Sequence, residues 1–142
     1  MPRLGSAAGV LLLTIGLAGC GSPNAPTPIP SVQGHWLGAI TSAADGIGTI
    51  ALDLTQAGAV VTGSALLSQP GLPDARGAVT GTVASQGNAT TLKYSVFYDY
   101  GDGCTGTYGG TLSLSAAVLS GPYVGQNCAH TFAGSIRVDK AQ

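Results

Sequence analysis

Residues able to do chemistry are scarce in this chain. The acids are six aspartates with no glutamate, and the two histidines are His35 and His130. Without glutamate an HExxH zinc motif cannot be written, and no GxSxG nucleophile turn occurs. A Ser-His-Asp set can be drawn on paper from so many serines, but a triad is recognised by geometry and its mere availability carries no weight. Gly101-Asp102-Gly103-Cys104-Thr105-Gly106 fits GxGxxG. That motif binds a dinucleotide only between a strand and a helix, and no helical period follows it here, so it reads as a hairpin turn. Asp99 and Asp102 are too few for a Ca²⁺ site, which takes about six to eight oxygen ligands. No catalytic residue, metal or cofactor is expected, and the chain does not read as an enzyme.

Composition narrows the class further. Charged residues are 8% of the chain, against about 25% in ordinary domains. The formal net charge of −1 lacks the basic excess of a nucleic-acid binder. Glu, Lys and Arg are too few for a coiled coil or helical bundle. An apolar fraction of 44% argues against disorder. The 142 residues leave room for one folded domain.

The N-terminus reads as an address. Arg3 precedes an apolar run from Ala7 to Ala18, then small residues. Such a run is too short for a transmembrane helix, which needs roughly 20 residues, and has the layout of a secretory signal. Leu17-Ala18-Gly19-Cys20 resembles the lipobox of bacterial lipoproteins. The resemblance implies cleavage of residues 1–19, acylation of Cys20 (diacylglyceryl, palmitate) and a membrane anchor. Gly21, where some lipoproteins carry Asp, implies the outer membrane facing the periplasm in a Gram-negative host. Residues 20–32 then form a linker with Pro23, Pro26, Pro28 and Pro30. A polyproline II spacer of this kind rises ~3.1 Å per residue, so the stretch 21–31 reaches about 34 Å.

With Cys20 assigned to lipid, Cys104 and Cys128 remain. Two leftover thiols in an exported chain are expected to pair. No CxxC occurs and neither histidine lies in a ligand cluster, so zinc and redox roles are set aside.

Residues 33–139 read as an all-β domain, with 140–142 as a tail. Short alternating runs fall at 33–42, 47–55, 59–67, 76–84, 90–98, 104–113, 118–125 and 130–138, divided by Gly, Asn, Asp and Ser. Ile50, Leu52 and Leu54 share one face, as do Leu92, Tyr94, Val96 and Tyr98, and Phe132, Ile136 and Val138. Eight short strands at near-even spacing predict a small antiparallel up-and-down barrel, with a tight β-sandwich as the alternative. The opposite faces carry Ser, Thr and Lys, not the apolar band of an outer-membrane pore. Gly63, Gly81, Gly106, Gly110, Gly121 and Gly134 fall on inward positions, where bare backbone allows coiling and close approach. Trp36, Tyr94, Tyr108, Tyr123 and Phe132 are the candidate core or ligand-lining residues that would lie across that backbone and largely fill the interior.

Gly34-x-Trp36 near the first strand, with Val-Thr-Gly and Thr-Gly-Thr-Val pieces at 60–63 and 80–83, resembles the lipocalin and avidin superfamily. The resemblance implies an eight-stranded up-and-down barrel. In lipocalins a late Arg packs on that Trp; Arg137 is the only late Arg, and its parity opposes Phe132 and Ile136.

The leading functional expectation is a membrane-anchored envelope lipoprotein acting as a structural or protein-interaction module without catalysis. The alternative is a lipocalin-like barrel for a small apolar ligand. Contacts with an envelope partner are expected from two loops, 68–75 and 99–103, the latter with Asp99, Tyr100 and Asp102.

Overall fold

The computed structural model describes residues 28–142, so the signal segment and Cys20 lie outside the described residues. Eight strands follow one another: β1 (Gly34–Ser42), β2 (Gly46–Ala57), β3 (Val60–Ser68), β4 (Ala75–Gln86), β5 (Ala89–Asp99), β6 (Thr105–Ser115), β7 (Val118–Asn127) and β8 (Thr131–Lys140). Each pairs antiparallel with its sequence neighbours, and β1 closes on β8, giving an up-and-down barrel. This topology decides against the sandwich and agrees with the lipocalin and avidin layout.

Alternation dictates the core. Every strand buries alternate positions, and the inward set runs from Trp36 and Ile40 on β1 to Ile136 and Val138 on β8. All six inward glycines named above share that parity. The register explains them. Tyr98 faces Gly77 on β4 and Gly106 on β6. Tyr94 faces Gly81 and Gly110 in the same way. Tyr108 faces Gly125, while Tyr123 faces Gly110 and Gly134. Each large ring thus lies beside a residue without a side chain, the arrangement that lets aromatic groups cover bare sheet.

The two ends of the barrel differ. At one end three tight turns join β2 to β3, β4 to β5 and β6 to β7, with Gly58 at φ 61° and Gly87 at φ 59° supplying the left-handed residue such turns need. The chain enters at this end. Its folded part begins earlier than the expected boundary at Gln33: Val32 is fully buried, its N–H donates to Gln56 Oε1 at 2.8 Å, and its carbonyl accepts Trp36 Nε1–H at 2.8 Å. The other boundary shifts too, because Lys140 belongs to β8 and Ala141 N–H donates to His35 O at 2.8 Å. Arg137 points outward, and Lys140 Nζ instead sits 5.6 Å from the centroid of the Trp36 ring.

The opposite end carries the longer connections. The 69–74 loop holds a Gln69-Pro70-Gly71-Leu72 turn, with Leu72 N–H donating to Gln69 O and Gly71 at φ 80°, the type II pattern. In the 100–104 loop, Asp99 Oδ1 accepts Gly101 N–H at 2.7 Å and Asp102 Oδ1 accepts Cys104 N–H at 2.8 Å. These carboxylates therefore cap turns. The disulfide Cys104–Cys128 ties this loop to the β7–β8 connection, with Cα atoms 5.7 Å apart. On the chain-entropy model a loop of this length contributes about 3 kcal/mol.

Candidate aromatic cup at the loop end

Between the longer loops the barrel opens into a cavity of about 220 Å³. Its floor is Tyr108 and Ile40, its walls are Tyr98, Tyr123 and Phe132, and Tyr100, Leu72 and Asp102 stand at the rim. The sequence places these side chains by period two. Tyr98 and Tyr100 straddle the end of β5, Tyr108 and Tyr123 are inward positions of β6 and β7, and Phe132 is the first inward position of β8.

The rings form one connected cluster. Tyr98 meets Tyr100 at 5.3 Å between centroids and 86° between planes, and Tyr108 at 5.6 Å and 51°. Tyr123 meets Tyr108 at 5.8 Å and 67°, and Phe132 at 6.2 Å and 60°. These are edge and tilted contacts, the geometry favoured by the ring quadrupoles. Tyr94 Oη and Tyr108 Oη are buried without a protein partner.

The polar groups of the cup are few. Asp45 sits in the β1–β2 turn, where Ser42 Oγ lies 3.3 Å from its Oδ2. His130 Nε2 is 3.8 Å from Asp45 Oδ1, beyond hydrogen-bond distance. Asn127 is held by its own turn, its Oδ1 accepting Ala129 and His130 N–H at 2.9 and 3.0 Å.

Sequence reasoning and structure overlap here in part. Tyr108, Tyr123 and Phe132 line the cup, but Trp36 and Tyr94 do not. Trp36 closes the opposite end of the barrel, and Tyr94 lies deeper in the core. Tyr100, named above in a contact loop, is half-buried against Tyr98. Asp45 and Asn127 were missed because an Asp or Asn at a turn ordinarily signals only the turn. His35 is on the outer wall, where its Nδ1 meets Asp53 Oδ1 at 2.6 Å.

Comparison of the sequence with protein-family models and with curated proteins finds no match. The site therefore has to be judged on its own geometry. A larger hollow of about 700 Å³ lies beside Gly109, Gly125 and Val124 and shares Tyr108 and Phe132 with the cup. It is shallow, and no charged side chain lines it. The cup is smaller but more enclosed, with a few polar groups converging on an apolar lining, the usual character of a ligand site.

Burial leaves a pH signature. It pushes the Tyr108 and Tyr94 phenols well above the ordinary 10, with neighbouring tyrosines adding to the rise. A folded-state pKa above the unfolded value means that the native state holds its protons longer. The contribution is complete below about pH 10, the unfolded value, and is lost as pH rises beyond it. Urea midpoints are expected to hold from pH 8 to 9.5 and fall steeply by pH 11. Tyr108→Phe should flatten that fall; an unchanged slope would show that this phenol is not held neutral.

Proposed function

We propose that this chain is a lipid-anchored, non-catalytic binding module of the bacterial cell envelope, with the aromatic cup as its binding site. One observation carries the reading: the two loops expected to make contacts, 68–75 and 99–103, both contribute to the lining of the cup, through Leu72, Pro73, Tyr100 and Asp102. Loops on a rigid scaffold are where binding residues usually sit. The polarity of the barrel supports a tethered arrangement. Pro30 and Val32 lead in at the tight-turn end, so an anchor at Cys20 would hold the cup facing away from the membrane.

The size of the cavity sets the guest. Drug-sized pockets start near ~300 Å³, and this cup falls below that. It suits a small molecule or one inserted side chain. The non-catalytic part rests on chemistry. The phenols of the cup are moved up, away from neutral pH, whereas a general acid or base works best near it.

Two measurements test the reading. Mass spectrometry of the membrane fraction should find the chain beginning at an acylated Cys20; a free Cys20 thiol would remove the anchor. A panel of small compounds screened by NMR against the full chain in detergent should yield binders that shift the amides of Tyr98, Tyr100 and Asn127, and Tyr98→Ala should abolish those shifts. Binders confined to the outer wall, or no binders at all, would remove the cup as the site.

A further inference from the structure

Resting on the reading of the cup as a binding site, we infer that its ligand is a small organic cation of the alkylammonium class, caged by the tyrosines and balanced by Asp45. Three observations converge on this class. The first is the lining. Tyr98, Tyr100, Tyr108, Tyr123 and Phe132 surround one space. Their mutual contacts are edge-on or tilted, at 51° to 86°, so a contact engages one face of one ring and none covers both rings face to face. Aromatic faces carry negative electrostatic potential and attract onium groups, and cages of such rings recognise quaternary ammonium ligands.

The second observation is charge. The carboxylates of the lining are Asp45 and Asp102, with no lysine or arginine beside them, and its one histidine, His130, stands 3.8 Å from Asp45 Oδ1. Asp102 stands at the rim and caps its own turn. Asp45 has its partners at the long distances given above and is mostly shielded from solvent, its side chain 22% exposed. Burial is the main reason the phenols of Tyr98, Tyr100 and Tyr123 are raised, and the field of Asp45 adds to each rise. An anion would meet this carboxylate and the ring faces together. A neutral guest would leave the charge unanswered in a partly desolvated place.

The third is room and polarity. About 220 Å³ equals roughly seven waters at ~30 Å³ each, which fits an onium head with a short substituent and excludes a lipid chain. Tyr108 Oη, buried and unpartnered in the same lining, is the kind of group that is normally satisfied in a native state. A hydroxyl or N–H on the substituent would meet that need.

The test uses three probes of one shape and different charge: choline, its neutral carbon isostere 3,3-dimethylbutan-1-ol, and the anion 3,3-dimethylbutyrate. Each is titrated into the full chain in detergent, following the amides of Tyr98, Tyr100 and Asn127 by NMR. Choline is expected to bind at least tenfold more tightly than the alcohol, and the anion not at all. Asp45→Asn, which keeps the shape of the turn residue, should reduce the choline preference to about twofold or less while leaving the alcohol unchanged. If the alcohol or the anion binds as well as choline, the cationic class is overturned and the cup remains a binding site. If none of the three shifts those amides, while other compounds of the wider panel do, the class alone fails. If nothing shifts them, the site reading fails with it.

Discussion

Trp36→Ala is expected to destabilise the protein by roughly 3–5 kcal/mol, the range for removing a large aromatic side chain from a packed interior. The indole is 1% exposed. It ties three parts of the chain together. Its Nε1–H holds the Val32 carbonyl, which docks the entering segment across the tight-turn end. Its ring receives Lys140 Nζ from the last strand. Its backbone pairs with Leu52 on β2 and Lys140 on β8, at the barrel closure. Truncation leaves a cavity, an unpaired Val32 carbonyl and a looser seam. Lys140→Ala should cost much less, about 0.5–1 kcal/mol, since its ammonium is exposed. Urea denaturation of both variants checks the pair. A Trp36→Ala loss below ~1 kcal/mol would show that Val32 and its neighbours close the end without the indole. Trp36 lies outside the cup, so under conditions where the variant remains folded it should leave the binding proposed there unchanged.

Much of this architecture was legible because a barrel wall is written in a period of two. Leu92, Tyr94, Val96 and Tyr98 alternate with Thr91, Lys93 and Ser95, and the structure buries the first set as the alternation requires. The disulfide was legible by subtraction, once Cys20 was assigned elsewhere. The ends were less so. Val32 looked like linker because prolines precede it, and only tertiary contact with Gln56 and Trp36 makes it core. Lys140 looked like tail because a charged residue one step from the C-terminal dipeptide carries no strand signal, yet it continues the β8 ladder. The cup was half-legible. Period two gave Tyr108, Tyr123 and Phe132, but strand parity alone cannot say how deep along the axis a ring sits. That is why Trp36 and Tyr94 were grouped with residues at the other end. Asp45 had no local signal at all. Its relevance comes from closure, which brings the β1–β2 turn beside β7, β8 and the 100–104 loop.

Gly134→Ala tests why the inward face is so rich in glycine. In a strand, glycine is ordinarily worse than alanine by roughly 0.5–1 kcal/mol, so general propensity predicts that the variant gains stability. The structure requires the reverse. A Cβ at Gly134 would overlap the Thr41 carbonyl of β1, with Tyr123 Cε1 only 3.0 Å away. The carbonyl is backbone in the β1–β8 ladder, where Thr41 pairs with Ser135 and Ser42 with Gly134. It cannot swing aside as a side chain can. Relief would mean opening the seam that closes the barrel or displacing a ring of the cup. Overpacking in a well-packed core typically costs about 1–3 kcal/mol and occasionally more; a clash with backbone places this one at or above ~3 kcal/mol. Gly63 and Gly38 face neighbouring carbonyls in the same way, Asp53 O and Arg137 O, so their alanine variants should fall in the same class. Ala133→Ser, one residue away on the outward face, serves as the control and should stay within about ±0.5 kcal/mol. The experiment is urea denaturation, with amide exchange of Thr41 to Ser135 as a local reading of the seam. A stable Gly134→Ala with slow exchange there would mean that the closed seam accommodates the Cβ without opening, and that glycine on this face serves something other than close backbone approach.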